Sequence, residues 1–185
     1  MSGEIRIIGG QWKRTRLAVP DKPGLRPTPD RVRETLFNWL GQSLEGWRCV
    51  DAFAGTGALG LEAASRGATQ VHLVEQDAAL AKALQAQVQR LQATGQVTVQ
   101  RGDGVACLRS LPAASVDLVL LDPPFDANLF EAALAAARPC LRESGWLYLE
   151  APQAWREAAL APLGYGVHRH LKAGAVHAHL LQPLP

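Results

Sequence analysis

The sequence predicts an α/β fold, a mostly parallel seven-stranded sheet with helices on both faces. An antiparallel hairpin closes it, and a small β-hairpin extension precedes it. Three observations lead there. From residue 49 onward, short β-prone runs alternate with helix-period segments, the pattern of parallel strands joined by crossover helices. A glycine-rich turn, "AGTGALG" at 54–60, follows the first of those strands. The last segment then changes character: "YGVHRHL" and "VHAHLLQ" flank a "KAGA" turn and read as a hairpin.

The elements follow in order. "EIRIIGG" and "RTRLAVP" are β-prone around a glycine turn, so a hairpin is predicted over 4–19. "PDKPGLRPTP" is proline-rich and reads as an extended connector. A helix follows, with Thr28 as N-cap, Pro29 at the first helical position and Gly41 just past the end. Val32, Leu36 and Leu40 share its inner face. Strands are predicted at 49–53, 70–75, 97–100, 116–122 and 146–151. Helices are predicted at 58–66, 77–92, 104–110 and 128–138, with Gly67 and Gly95 as helix stops.

A chain of 185 residues fits one domain with a small appendage, and 48% hydrophobic residues suffice for a core, which argues against disorder. The expected division is a basic hairpin and connector over 1–28 and the main domain over 29–185. No apolar run approaches the roughly 18 residues of a membrane span. "MSGEIRIIGG" has no signal-peptide core, so a cytoplasmic location is expected. Cys49, Cys107 and Cys140 are far apart, forming neither a disulfide framework nor a metal-ligand spacing. The net charge is +2, but residues 1–33 carry eight basic against three acidic side chains. A basic arm on a mildly acidic body suits either a polyanion partner or a solvated edge strand.

Gly55, Gly57 and Gly60 permit a tight turn at a helix start, which by itself fits nicotinamide dinucleotides or S-adenosylmethionine equally. Two acids tilt the choice. Asp51 lies in the strand just before the loop, where a carboxylate would repel a pyrophosphate but hold an ammonium group. Glu75 ends the second strand, where an acid can accept both hydroxyls of a ribose. Asp103, after the third strand, can accept from an adenine amino group or simply cap the next helix. With their chain neighbours Ala52, Gln76 and Gly104, these residues form the candidate cofactor set.

The fourth strand ends in Asp122-Pro123-Pro124-Phe125. Two prolines fix two φ angles and remove two backbone donors. The turn is a rigid cradle of acceptors, suited to an amino group, with Phe125 as a flat face for a planar ring. An exocyclic nucleobase amine matches it. Its lone pair is delocalised, and two acceptors on its hydrogens can turn that pair toward a methyl donor. No strong base is needed before transfer, because the methylated nitrogen becomes acidic. Asp122 is then an orienting acceptor, the Pro123 carbonyl its partner and Phe125 the clamp, on a base that is flipped or unpaired.

These residues, the Asp51-to-Gly60 loop, Glu75, Asp103 and Asp122-to-Phe125, resemble the class I S-adenosylmethionine-dependent amino-methyltransferases. The front end, "RIIGGQWKRTRL" and "GLRPTPDRVRETLFNWL", is similar to the bacterial RsmD-type 16S ribosomal RNA (guanine-N2)-methyltransferases. The resemblance covers residues 5 to about 150. It implies a Rossmann-like class I fold, S-adenosylmethionine without a metal, and methylation of a guanine N2 in a loop of 16S RNA in small-subunit particles. It implies that Asp51, Gly55 and Gly57 hold the methionine end of the cofactor, Glu75 the ribose and Asp103 the adenine. Asp122, Pro123 and Phe125 would take the guanine. The "RPTPDRVRE" segment would fold over cofactor and RNA, with Arg26, Thr28 and Arg31 as contacts.

On the hairpin, Lys13, Arg14 and Arg16 suit phosphates, with Trp12 either a stacking ring or a packing residue. Arg31, Arg33 and Glu34 fit a solvated helix face equally well. His168, His170, His177 and His179 could share one sheet face, but no cysteine or carboxylate accompanies them, and exposed strand histidines are the simpler account. Three other readings stand beside the guanine-N2 enzyme. They are an adenine-N6 DNA methyltransferase, a dinucleotide oxidoreductase, for which the chain is short, and an RNA-binding assembly factor without turnover. A monomer is expected.

Overall fold

A computed structural model describes residues 4–185. The first three residues of the predicted 1–28 segment lie outside the described residues. The hairpin is shorter than predicted: β1 (Glu4–Arg6) pairs antiparallel with β2 (Arg16–Ala18), and the chain between them is irregular. Its inward residues Ile5, Ile7, Leu17 and Val19 are buried in the main core.

Helix α1 (Asp30–Leu40) buries Val32, Leu36, Phe37 and Leu40, and Gly41 closes it in the left-handed region at φ 95°. The predicted Thr28 cap is not formed. The Pro29 carbonyl accepts from the Val32 and Arg33 amides, so Pro29 is the N-cap, while Thr28 is buried. A residue before proline is held extended, which keeps Thr28 one step outside the helix. Arg33, read as part of a solvated face, is fully buried.

The core alternation follows. β3 (Arg48–Asp51), α2 (Ala58–Ser65), β4 (Gln70–Glu75), α3 (Ala78–Arg90), β5 (Val97–Arg101), α4 (Gly104–Ser110), β6 (Val116–Leu121), α5 (Phe130–Cys140) and β7 (Leu141–Ala151) succeed one another. A short α6 (Glu157–Leu160) and a 3-10 turn at Ala161–Leu163 lead to the hairpin of β8 (Tyr165–Ala173) and β9 (Val176–Pro183). The seven-stranded sheet runs β5-β4-β3-β6-β7-β9-β8, parallel through β7 and antiparallel beyond. α1, α2 and α3 cover one face, and α4, α5 and α6 the other. Gly95 is not the stop for α3. The helix ends at Arg90 with Leu91 as its cap, and Gln92 takes the left-handed conformation at φ 56°.

One buried ion cluster joins the hairpin and α1 to this core. Glu62, on α2, is fully buried. Its carboxylate accepts from the Ile8 and Gly9 amides at 2.9 Å each, from Arg66 Nε at 2.9 Å and from Arg33 Nη1 at 3.4 Å. Arg33 also donates to the Arg6 carbonyl at 2.9 Å and pairs with Asp30. Ser65, one turn on, accepts from the Trp12 amide at 3.0 Å and donates to the Gly9 carbonyl at 2.6 Å. The hairpin is therefore packed as part of the domain, not appended to it.

Replacing Glu62 by alanine strands two buried guanidinium groups and two amides. The expected loss is about 3–5 kcal/mol, read as a lower urea midpoint. A loss under about 1 kcal/mol would show that solvent replaces the carboxylate and that the cluster does not hold the hairpin.

Candidate active site

The strand order turns back between β3 and β6, where the chain leaves β3 for β4 and β5 and returns alongside β3. Open α/β sheets bind ligands at the carboxyl edge of such a point. Asp51 ends β3 there, opposite Leu120, and Asp122 follows the last residue of β6.

Asp51 is 1% exposed. Its Oδ2 accepts from the Gly60 amide at 3.0 Å, which ties the strand to the glycine loop. Its Oδ1 has no hydrogen-bond partner among the described residues. Burial pushes this carboxyl up to about 7; the Gly60 and Phe53 amides hold it lower, and the charges of Glu75 and Glu150 add a smaller rise. An orphaned, buried acceptor surrounded by acids calls for a cationic donor. The three glycine amides of the loop are already used. Gly55, at φ 54°, gives its amide to Glu75 Oε2 at 2.8 Å, and Gly57, at φ 82°, bonds back to the Ala54 carbonyl. A pyrophosphate would meet engaged glycine amides and a carboxylate, whereas an ammonium group would meet the Asp51 Oδ1 acceptor.

Glu75 also accepts from the Asp77 amide at 3.0 Å, so both its oxygens are fixed by backbone and keep lone pairs outward. Asp77 is the N-cap of α3 and pairs with Lys22 of the connector. Asp103 caps α4, accepting from the Ala106 amide at 2.8 Å, and remains exposed. Gly104 is a close-approach glycine, since a Cβ there would lie 2.1 Å from the Ala52 carbonyl oxygen. That contact seats the β5–α4 turn directly on the exit of β3. Gln76 is exposed beside Glu75.

Across the crevice, Pro123 is buried and Phe125 half-buried. The Arg26 guanidinium lies 4.7 Å from the Phe125 ring centroid. Phe125 neighbours Phe130 at 6.3 Å, and Phe130 neighbours Trp155 at 6.1 Å, a row of tilted rings along the edge. Burial pushes the Asp122 carboxyl well above the usual carboxylate range. The charge of Glu150 and its hydrogen bond add to this, Asp51 contributes less, and Arg26 opposes it.

The chain matches known proteins along nearly its whole length. The sequence model of a family described as "conserved hypothetical protein 95" matches residues 5–182. The ribosomal RNA small subunit methyltransferase D of Escherichia coli is 41% identical over 98% of this chain and 91% of its own length. The chain belongs to this methyltransferase family. Two solved structures agree. A methyltransferase from Escherichia coli superposes with a TM-score of 0.84 at 36% identity, covering 98% of this chain and 99% of that one. A methylase from Haemophilus influenzae gives 0.78 at 32%, covering 99% and 100%. The protein is an enzyme of the class I methyltransferase fold.

Within this family fold, the candidate RNA residues fall into two groups. Arg26 and Arg31 are exposed near the carboxyl edge, Arg26 against Phe125 and Arg31 in the first turn of α1. Thr28, between them, is buried and packs. Trp12, Lys13, Arg14 and Arg16 are elsewhere. Trp12 bonds to Ser65 at the end of α2, and Arg90 at the end of α3 donates to the Arg16 carbonyl. Both helices start at the carboxyl edge and run toward the opposite one. The hairpin tip therefore sits a helix length from Asp122, roughly 12–20 Å at 1.5 Å per residue. Trp12 is half-buried against the core, Lys13 and Arg14 are exposed, and Arg16 pairs with Glu4 at 2.8 Å.

Sequence reasoning missed Glu150 and Tyr148, both buried on β7 beside Asp122. The signal was present as "LYLEA", an acid at the end of a fifth apolar strand. The histidines also differ from expectation. A register shift between Val167 and Arg169 parts His168, which lies 4.7 Å from Trp146, from the other three. His179 is fully buried, not exposed. Its Nε2 accepts from the Trp155 amide at 2.9 Å, so its Nδ1–H donates to the Leu149 carbonyl at 3.1 Å. Burial pushes it down to about 4, and the neutral ring ties the segment after β7 to the sheet. No group of three or more possible metal ligands occurs among the described residues.

Asp51 links the site to stability. Its folded pKa is raised above the unfolded value, so its contribution is fully present below about pH 4 and is lost as pH rises toward about 7. Asp51→Asn is expected to be more stable than the wild type at pH 8, with the gap closing near pH 5. Urea midpoints across that range test it. Parallel curves would mean that Asp51 ionises without cost.

Proposed function

We propose that the protein transfers a methyl group from S-adenosylmethionine to the exocyclic N2 of a guanine in 16S ribosomal RNA. The observation that carries this reading is the acceptor turn Asp122-Pro123-Phe125 set across the strand-order switch from the unpartnered Asp51 oxygen. The family relationship supports it, because the curated relative is named as a small-subunit ribosomal RNA methyltransferase.

When bound, S-adenosylmethionine supplies an electrophilic methyl on a sulfonium. Asp51 holds its ammonium group, with Ala52, Gly55 and Gly57 shaping the cradle. Glu75 and Gln76 take the ribose, and Asp103 with Gly104 the adenine. Asp122 and the Pro123 carbonyl accept the two amine hydrogens, turning the nitrogen lone pair toward the methyl. Phe125 clamps the flipped base by stacking. Arg26 covers that ring in the free protein and moves aside to a phosphate as the base enters. Residues 29–185 carry out transfer. The 1–28 segment, whose described part is docked on the core, supplies a second, remote contact through Trp12, Lys13, Arg14 and Arg16. Arg31 contributes at the edge. The substrate is RNA in the small subunit or its assembly intermediate, the enzyme acts as a monomer, and its place is the cytoplasm. No described helix is long and apolar enough to cross a membrane.

Labelled S-adenosylmethionine offered with protein-free ribosomal RNA, unmodified small-subunit particles and duplex DNA tests this, with mass spectrometry of the nucleosides. N2-methylguanosine in RNA is expected. N6-methyladenine in DNA would overturn the substrate, and binding without transfer would favour an assembly factor. Asp122→Ala is expected to lower the rate on the order of 100-fold or more with little change in cofactor affinity. Charge reversal at Lys13 and Arg14 is expected to raise KM and leave kcat nearly unchanged.

A further inference from the structure

Phe130, Trp155 and the histidines of the closing hairpin have no part in the reading above, yet they meet at its edge. β7 runs parallel to β6, and Ala151 at its carboxyl end pairs with His177 of β9. The β8–β9 turn therefore lies at the same sheet edge as the acceptor turn. His170 pairs with His179 and Lys172 with His177, so these four side chains share one face of the hairpin. The ring row that starts at Phe125 ends against them, because the Trp155 amide donates to His179 Nε2 at 2.9 Å.

His179 is the mount of this band. It is fully buried and its other nitrogen donates to the Leu149 carbonyl, so neither nitrogen is left for a ligand. His170 is exposed and His177 half-buried. Their rings are nearly parallel, with centroids 5.1 Å apart, and His170 lies 4.8 Å from His179. His170 Nε2 and His177 Nδ1 stand 2.9 Å apart and share one hydrogen, which leaves His170 Nδ1 and His177 Nε2 for other partners. Phe125, Phe130 and Trp155 are each half-buried, the last two with one side on the core. Charge is sorted along the band. Residues 165–185 hold Arg169, Lys172 and four histidines and no acid. Asp126 and Glu131, next in the chain to Phe125 and Phe130, are exposed acids. Phosphates are favoured at the hairpin end, and the ring faces are left to bases. Half-open rings in a row that leads to a cationic end suit an unpaired nucleic-acid strand. A duplex keeps its bases stacked away from such a row.

We infer that this band is a track for the unpaired RNA strand flanking the target guanine, in which Trp155 stacks on a neighbouring base and His170, His177 and Lys172 donate to the phosphate beyond it. This rests on the proposed methylation of RNA. Phe130 stands between Phe125 and Trp155, at 6.3 Å from one and 6.1 Å from the other, so the target base and its neighbour are held on separate rings. That keeps the two bases from stacking on each other as the target enters the acceptor turn. Trp155 is thus a positioning residue, and the buried His179 fixes it through the main chain.

The test is steady-state methylation of whichever RNA the wild type accepts, with Trp155→Ala, Trp155→Phe and Lys172→Ala. Trp155→Ala is expected to raise KM on the order of tenfold or more and to leave kcat within about threefold, with Trp155→Phe restoring most of the loss. Lys172→Ala is expected to raise KM less and to flatten its salt dependence by about one phosphate contact. An abasic nucleotide on one side of the target guanine is expected to weaken the wild type and to cost Trp155→Ala almost nothing more. An unchanged KM in Trp155→Ala, a loss that Trp155→Phe does not recover, or additivity with an abasic nucleotide on both sides would overturn the track. Equilibrium binding to unmodified small-subunit particles, with S-adenosylhomocysteine present, reads it without turnover. Trp155→Ala and Lys172→Ala are expected to bind particles more weakly while keeping wild-type affinity for S-adenosylhomocysteine, which shows that the site is folded. Equal particle affinity in wild type and both variants would overturn the track. No transfer by a wild type whose particle binding still falls in Trp155→Ala would instead sink the guanine reading and leave the track standing.

Discussion

The fold depends on one buried carboxylate outside the catalytic crevice. Glu62 gathers two backbone amides from the hairpin, one guanidinium from α1 and one from its own helix. Without it, the hairpin and α1 would be two amphipathic pieces leaning on a finished α/β sheet. With it, their order is fixed, and so is the path of the connector between them. That path carries Leu25 to the glycine loop, Lys22 to Asp77 and Arg26 to the face of Phe125. Arg33 is buried by the same logic, since a guanidinium with two carboxylates and two carbonyls within reach loses little by leaving water.

The crevice is built on the opposite principle. Glu62 is matched with two cations, whereas Asp51 has none and Asp122 only Arg26. Burial raises Asp51 and Asp122, and the charge of Glu150 adds to both. Such an arrangement costs stability in the free protein and is kept where a ligand brings the missing charge. A cofactor with an ammonium and a sulfonium brings two. The same acids, with the glycine amides of the loop already engaged, make the crevice unwelcoming to a pyrophosphate.

Much of this was legible in the sequence because it rests on local rules. The alternation from β3 to β7, the glycine turn, the acids at strand ends and the proline-locked turn each occupy a short stretch with its own physical reason. The corrections have two sources, a long-range partner at Arg33 and the competition between neighbouring residues for a helix end at Thr28 and Gly95. Arg33 looks solvated until Glu62, 29 residues away, is placed beside it. Thr28 has the chemistry of a cap, but the proline after it shifts the helix start by one. Gly95 looks like a stop, but Gln92 takes the left-handed position because α3 ends sooner. Glu150 was readable as one more strand-end acid. Its closeness to Asp122 needs the neighbouring strand, since the β6–β7 register runs to Leu121 beside Leu149, the residues just before the two acids.

The distance between the basic hairpin and the crevice constrains how substrate is chosen. Lys13 and Arg14 sit at the far ends of α2 and α3, while the acceptor turn sits at their starts. A single nucleotide in the crevice cannot touch both. A folded RNA that spans the intervening length can. On the proposed reading, the acceptor turn would discriminate by chemistry, taking a planar base with an exocyclic amine. Selectivity for one nucleotide among many would then fall to shape, measured between two points held in place by the Glu62 cluster, and such a footprint would read a folded region more than a sequence.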